Sequence, residues 1–349
     1  EQHRYAMTEP VKPSLIKTER LIKRFGEITA VNGISLTVER GEVLGFLGPN
    51  GAGKSTTMKM ITGFLEPDEG RVLISGTNLH DHPLDAKRRI GYLPEGAPSY
   101  GDMTPRSFLK FIAEVRGFDG ADRDRKVDEA GDKTGLHGVM EQRIETLSKG
   151  YRRRVGLAQA ILHDPEILIL DEPTDGLDPN QKYHVRSLIQ EMAANMAIVV
   201  STHILEEVEA VCSRAVIIDR GRIVADGTAE ELQKRLPYHN SVTVQVPAGA
   251  FQSAQAALTG LANVVGVEEV ARSNGHVQLR ALSNDHKEIV ADVASALREK
   301  SISVDQIYVE RGRLDDVFRE ITTHDHDRST GPAAVPAGQE NGSNGGARA

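Results

Sequence analysis

Nine contiguous residues, GPNGAGKST from Gly48 to Thr56, carry the most explicit chemistry in the chain. Gly, four residues, Gly, Lys and a hydroxyl residue is the spacing of a loop that wraps phosphate. Glycines at 48, 51 and 53 let the backbone curl with its N–H groups inward, and a helix starting near Lys54 adds its positive end, so the loop forms a nest for phosphate oxygens. In that geometry Lys54 reaches the β and γ phosphates and Ser55 offers its hydroxyl to Mg²⁺. A glycine-rich turn that only caps a helix is the competing reading. The apolar run Val43 to Leu47 disfavours it by placing a buried strand directly before the loop.

A second pair of reactive groups closes another apolar run, EILILDEP, with Asp171 and Glu172. Beside a phosphate loop, Asp171 is suited to hold Mg²⁺ through its water shell and Glu172 to polarise a water in line with the γ phosphate. Without that loop the two carboxylates would simply cap a strand end. In LSKGYRRR, Leu147 to Arg154, Ser148 reads as the N-cap of a helix whose free N–H groups could bind a phosphate. The three arginines read as a solvated helix face.

These groups must be held by a scaffold, and the chain has material for one. Its 349 residues fit two domains plus tails, and 39% hydrophobic content suffices for a core. A net charge of −8 gives no general attraction to nucleic acid or anionic lipid. The single cysteine, Cys212, excludes an internal disulfide, points to a reducing compartment and reads as a small buried side chain. No run of about eighteen apolar residues spans a membrane and no signal-peptide core opens the chain, so a cytoplasmic protein is expected.

Strands are expected at 15–25, 34–38, 43–47, 70–76, 166–171 and 197–203, with Gly26, Gly33 and Gly41 as breaks among the first three. Helices are expected at 54–62, 83–89, 122–134, 148–162 and 180–194, and another follows the N-cap Thr104 with Pro105 at the first helical position. Residues 215–227 read as a hairpin turning near Arg220 and Gly221, and Thr228 with Glu231 forms a capping box for a helix to Leu236. From Ser241 the order becomes β-α-β-β-α-β, a small ferredoxin-like module, with a closing helix at 314–321. The expected division is a disordered 1–13, a nucleotide-binding domain at 14–237 with a helical part near 100–163, the module at 240–322 and a disordered tail at 323–349.

At this point the sequence resembles an ATP-binding cassette (ABC) ATPase over Leu15 to about Leu236. GPNGAGKST is similar to the Walker A loop, LSKGY to the family signature, and ILILDEP to Walker B with its catalytic glutamate. GLDP, Gly176 to Pro179, resembles the D-loop, and His203 the switch histidine. The resemblance implies an α/β P-loop NTPase fold: a RecA-like core, an antiparallel β subdomain and a helical subdomain. It implies ATP contacts at Phe25 (stacking on adenine), Gly48, Asn50, Gly51, Gly53, Lys54, Ser55 and Thr56. Further contacts are implied at Glu95, Ser148, Gly150 and Asp178, Mg²⁺ at Ser55, Asp171 and Glu95, and catalysis by Glu172 with His203.

Two departures qualify it. Lys149 and Tyr151 replace the first Gly and the Gln of the usual LSGGQ, while Ser148 and Gly150 are kept; Glu95 stands where glutamine is expected. With RLDDVF, Arg313 to Phe318, these features resemble the branch whose ATPases serve separate exporter-type permeases. The resemblance implies a head-to-tail homodimer, or a pair with a paralogue, on the cytoplasmic face of the membrane. Each ATP would lie between one copy's Walker loop and the other's signature. The permease is expected on the helical part and 95–102, with Tyr92, Tyr100 and Met103 as contacts or core. The alternative, a soluble ABC ATPase acting on ribosomes or DNA or serving as a regulatory switch, lacks the second cassette or coiled-coil insert such proteins carry, and no nucleic-acid partner is expected.

Overall fold

The computed structural model describes residues 14–97 and 99–328; the disorder expected for 1–13 and 329–349 lies outside the described residues. The first unit contains two sheets. In one, β1 (Ser14–Phe25) pairs antiparallel with β2 (Ile28–Glu39) and with β4 (Glu69–Ile74), and β5 (Thr77–Asn78) closes the edge. The other holds six strands: β3 (Val43–Leu47), β6 (Ile90–Leu93), β7 (Ile167–Asp171), β8 (Ala197–Thr202), β9 (Arg214–Asp219) and β10 (Arg222–Gly227). Their order is β10-β9-β3-β8-β7-β6, parallel throughout except for the β9–β10 hairpin. Every residue of β3, β7 and β8 is buried, because a parallel sheet is covered on both faces; unbroken apolar runs are what such strands require.

Helices α1 (Lys54–Ile61), α2 (Pro83–Arg88), α6 (Pro179–Ala193) and α7 (Leu205–Val211) belong with this sheet. Between β6 and β7 the chain leaves it to build a helical layer from α3 (Pro105–Val115), α4 (Gly120–Lys133) and α5 (Lys149–Ile161), whose core includes Phe108, Leu109, Val127, Leu136, Val155 and Ala158. Thr104 caps α3 through a reciprocal bond with Ser107, and Thr228 and Glu231 form the capping box of α8 (Ala229–Gln233).

The strand expected at 34–38 is part of a longer one. Gly33 has φ +83, and the register slips there from Leu21↔Ile34 to Ile22↔Asn32, so this glycine makes a bulge inside β2 instead of ending it. The second helix of the module starts only at Val290, since Asp285 and His286 take left-handed backbone.

The second unit has strands β11 (Ser241–Pro247), β12 (Val264–Ser273), β13 (His276–Ser283) and β14 (Gln306–Glu310) in the order β12-β13-β11-β14, all antiparallel. Helices α9 (Phe251–Thr259) and α10 (Val290–Glu299) pack on Val242, Val244, Val246, Val277 and Leu279; the period-two burial of β13 matches one covered face.

The last helix, α11 (Leu314–Arg328), does not stay with this unit. Leu314 and Val317, each 1% exposed, pack with Leu232, Leu236, Val208 and Leu47 of the first. It also runs to Arg328, beyond Ile321, so the part of the tail at 323–328 is helical: once nucleated, a helix extends through polar residues at one backbone bond each. The two stems of the module, Tyr238 and α11, meet. Burial and then the Asp316 carboxylate raise the pKa of the Tyr238 hydroxyl, and Arg280, bonded to Glu310, lies 4.9 Å from the Tyr238 ring. Leu314→Ala should therefore lower the stability of the nucleotide-binding unit by about 2–4 kcal/mol, a lower midpoint of urea unfolding. An unchanged midpoint would exclude α11 from this core.

Candidate nucleotide-binding site

The loop from Gly48 to Gly53 leaves the buried end of β3 and enters α1. Gly51 (φ +83) and Gly53 (φ +105) hold backbone angles that side chains resist, and a Cβ on Gly53 would run into the Ala30 carbonyl of β2. A Cβ on Gly48 would run into the Ile218 carbonyl of β9. The hairpin turn braces the loop from the other side: Gly221 N donates to Ala52 O at 2.8 Å, and Asn32 N to Gly221 O at 2.8 Å. Asn50 and Gly51 are exposed at the tip; Ser55 and Thr56 are half-buried on the first turn of α1.

Lys54 is 7% exposed and donates to Gly48 O at 2.6 Å and Pro49 O at 3.2 Å. Burial lowers its pKa, opposed by the negative charges of Glu172, Asp171 and Glu95. Asp171, 2% exposed at the end of β7, accepts from Ser201 Oγ at 2.6 Å on Oδ1, and its other oxygen takes no bond among the described residues. The Asp171 carboxylate and the Ser55 hydroxyl, on the first turn of α1, are hard oxygen donors of the kind Mg²⁺ takes. Glu172 N donates to Ser201 O at 2.9 Å, and both Glu172 carboxylate oxygens lie 3.0 Å from His203 Nδ1. The imidazole itself is half exposed. Burial first, then the Asp171 and Glu95 charges, push the Tyr92 hydroxyl up to about 12.

The arginine run departs from the solvated face expected of it. Arg153 is 5% exposed and donates to Asp171 O at 2.6 Å, Pro173 O at 3.1 Å, Pro94 O at 3.4 Å and Glu172 O. Burial lowers its pKa against the pull of Asp175, Asp171, Glu172 and Glu95. Helical spacing carried the signal: Gly150, Arg153 and Leu157 recur at three and four residues, and all are buried. Lys149, on the same helix, pairs with Asp175 at 2.9 Å.

A second group of expected residues stands apart. Ser148 caps α5 by accepting from Tyr151 N at 3.3 Å, and Asp178 caps α6 by accepting from Gln181 N at 3.0 Å. Gly150 is buried under the Gln181 side chain, which a Cβ would strike. Among the described residues no bond or charge interaction links Ser148, Gly150 or Asp178 to Lys54. Glu95 is exposed on the turn after β6. Phe25, 51% exposed at the end of β1, stands with Lys23 Nζ 5.9 Å from its ring centre. Cys212 follows α7, its Sγ against Gly45; burial first, then Glu207, pushes its pKa up to about 12, so its thiol is inert at neutral pH.

Comparison with known proteins agrees with this geometry. Residues 31–175 match the family model described as ABC transporter. The chain is 30% identical over 309 residues to the linearmycin resistance ATP-binding protein of Bacillus subtilis (strain 168), covering 88% of this chain and 98% of that one. It is 32% identical over 305 residues to a daunorubicin resistance ATP-binding protein of Streptomyces coeruleorubidus, covering 87% and 94%. A solved structure described as the ATP-binding subunit of an ABC transporter superposes with a TM-score of 0.59 at 31% identity, covering 64% of this chain and 93% of that one. A strand-fed phosphate loop, a buried Asp–Glu pair and near full-length relatives thus converge: the chain belongs to the ATP-binding proteins of ABC transporters, with the P-loop NTPase fold and ATPase activity of that family.

Proposed function

We propose that this chain drives an exporter by closing on ATP as a pair of copies. The observation that carries it is that the two halves of the site make no bond with each other within one chain. Asp171, Glu172 and His203 gather at the ends of β7 and β8 and the two carboxylates act electrostatically on Lys54, while Ser148 and Gly150, the signature residues, share no bond with Lys54 in the same chain. A second copy supplies the missing half to each nucleotide.

In this reading the loop amides and Lys54, released from the Gly48 and Pro49 carbonyls, bind the β and γ phosphates. Ser55, Asp171 and Glu95 would hold Mg²⁺, which would neutralise phosphate charge. Glu172 takes the proton of the attacking water, and His203, 3.0 Å away, holds that carboxylate in place. Phe25 stacks on the adenine. The Ser148 hydroxyl and Gly150 amide meet the partner's γ phosphate, and Asp178 lies near the same interface. Export is supported by the resemblance of most of the chain to proteins named for drug resistance. In this reading a permease supplies the path across the membrane and this subunit works on its cytoplasmic face, which the kinship with ATP-binding proteins of ABC transporters supports; no helix among the described residues is long and apolar enough to cross a membrane.

Exposed aromatic residues support a docking face for the permease. Tyr100 is 56% exposed and stacks edge-on with Phe108 and Phe111, and Phe64, 73% exposed, lies 5.5 Å from Tyr92. Met103 instead packs into the helical core.

Two outcomes follow. Glu172→Gln should lower turnover by about 100-fold or more, keep ATP affinity and accumulate a dimer in ATP, seen by light scattering; a monomeric, active variant would sink the reading. Tyr100→Glu and Phe111→Glu should leave the ATPase rate of the isolated chain within about twofold yet abolish co-purification with its co-expressed permease. Undiminished co-purification would place docking elsewhere.

A further inference from the structure

We propose that Arg153 is a positioning residue for Glu172, and that Arg153 and Lys149 together clamp the loop 171–176 to the signature helix of the same chain. This rests on Glu172 as the base and deepens that reading.

Glu172 has φ +50, a left-handed backbone that a residue with a side chain keeps only when its surroundings impose it. Two peptide planes define that conformation, one carrying the Asp171 carbonyl and the other the Glu172 carbonyl. Arg153 Nη2 donates to both, and its Nε donates to the next carbonyl, of Pro173. One planar guanidinium thus fixes φ and ψ of the residue whose carboxylate faces His203. The remaining nitrogen, Nη1, reaches Pro94 O at 3.4 Å, directly before Glu95. A lysine or glutamine at 153 has too few donors to bridge these carbonyls at once.

Lys149 lies four residues earlier on α5, on the same face. Its ammonium bonds Asp175 at 2.9 Å, and its stem fills the space where a Cβ on Gly176 (φ +68) would go. The usual signature has glycine at this position and cannot make the bond. Because the N-terminus of α5 faces the partner's nucleotide in the proposed pair, the helix that reads one site holds the base of the other. The two ATP sites are thereby coupled through α5, and a shift of that helix moves Glu172.

The full chain carrying Arg153→Gln, Arg153→Lys, Lys149→Ala or Glu172→Gln is compared for steady-state ATPase, binding of a fluorescent ATP analogue and thermal unfolding. Arg153→Gln should lower kcat about 10- to 100-fold with apparent KM and analogue affinity changed less than about threefold, and Arg153→Lys should regain part of the loss. Lys149→Ala, whose side chain is exposed, should lower kcat about threefold at unchanged Tm, and adding Asp175→Asn should lower it no further, because the two groups act as one pair. Wild-type kcat in Arg153→Gln beside an inactive Glu172→Gln would overturn the proposal. So would losses in both Arg153 variants that track a fall in Tm while Lys149→Ala turns over normally. If Arg153→Gln does not fold, Lys149→Ala decides, and a wild-type kcat there overturns the clamp. Wild-type turnover in Glu172→Gln would remove the base itself, and this proposal with it.

Discussion

One buried ammonium governs the arrangement of the nucleotide site. Lys54 opens α1 under the negative charges of Asp171, Glu172 and Glu95, and its hydrogen bonds go to carbonyls of its own loop. Burying an amine without partners is expensive, so the loop must curl until Gly48 O and Pro49 O reach it. That curl has no room for side chains at Gly48 and Gly53, which abut the Ile218 and Ala30 carbonyls. β2, β9 and the 220–221 turn are therefore as much part of the phosphate site as the loop itself.

Electrostatics at the end of β7 follow the same logic. Asp171 is kept in place by Ser201 on the neighbouring strand, and the parallel register Asp171↔Ser201 makes that bond possible. His203 follows two residues later on the same strand exit and meets Glu172. The reactive groups thus sit at the C-terminal ends of adjacent parallel strands, where such sheets place their ligands.

The parts legible in the sequence were those whose chemistry is local. GPNGAGKST is contiguous, and ILILD is an unbroken apolar run, so loop and strand could be read without tertiary knowledge. Gly33 was misleading because a glycine with positive φ serves a bulge as well as a turn, and only the partner strand distinguishes them. Arg153 was hidden among two similar neighbours; composition says solvated, and only its helical phase relative to Gly150 and Leu157 says buried. The destination of α11 was beyond reach, since an amphipathic helix announces that it packs but not on what.

That destination changes what the C-terminal module is. Chain connectivity presents it as an appendage after Pro237, yet Leu314 and Val317 complete a cluster begun by Leu47, Leu232 and Leu236. Topologically the module is an insert with two stems. Cutting the chain at the linker would strip a wall from the hydrophobic layer behind β3, the strand that feeds the phosphate loop. Excising the insert while keeping α11 would leave that wall standing, so excision and truncation are different operations on this protein.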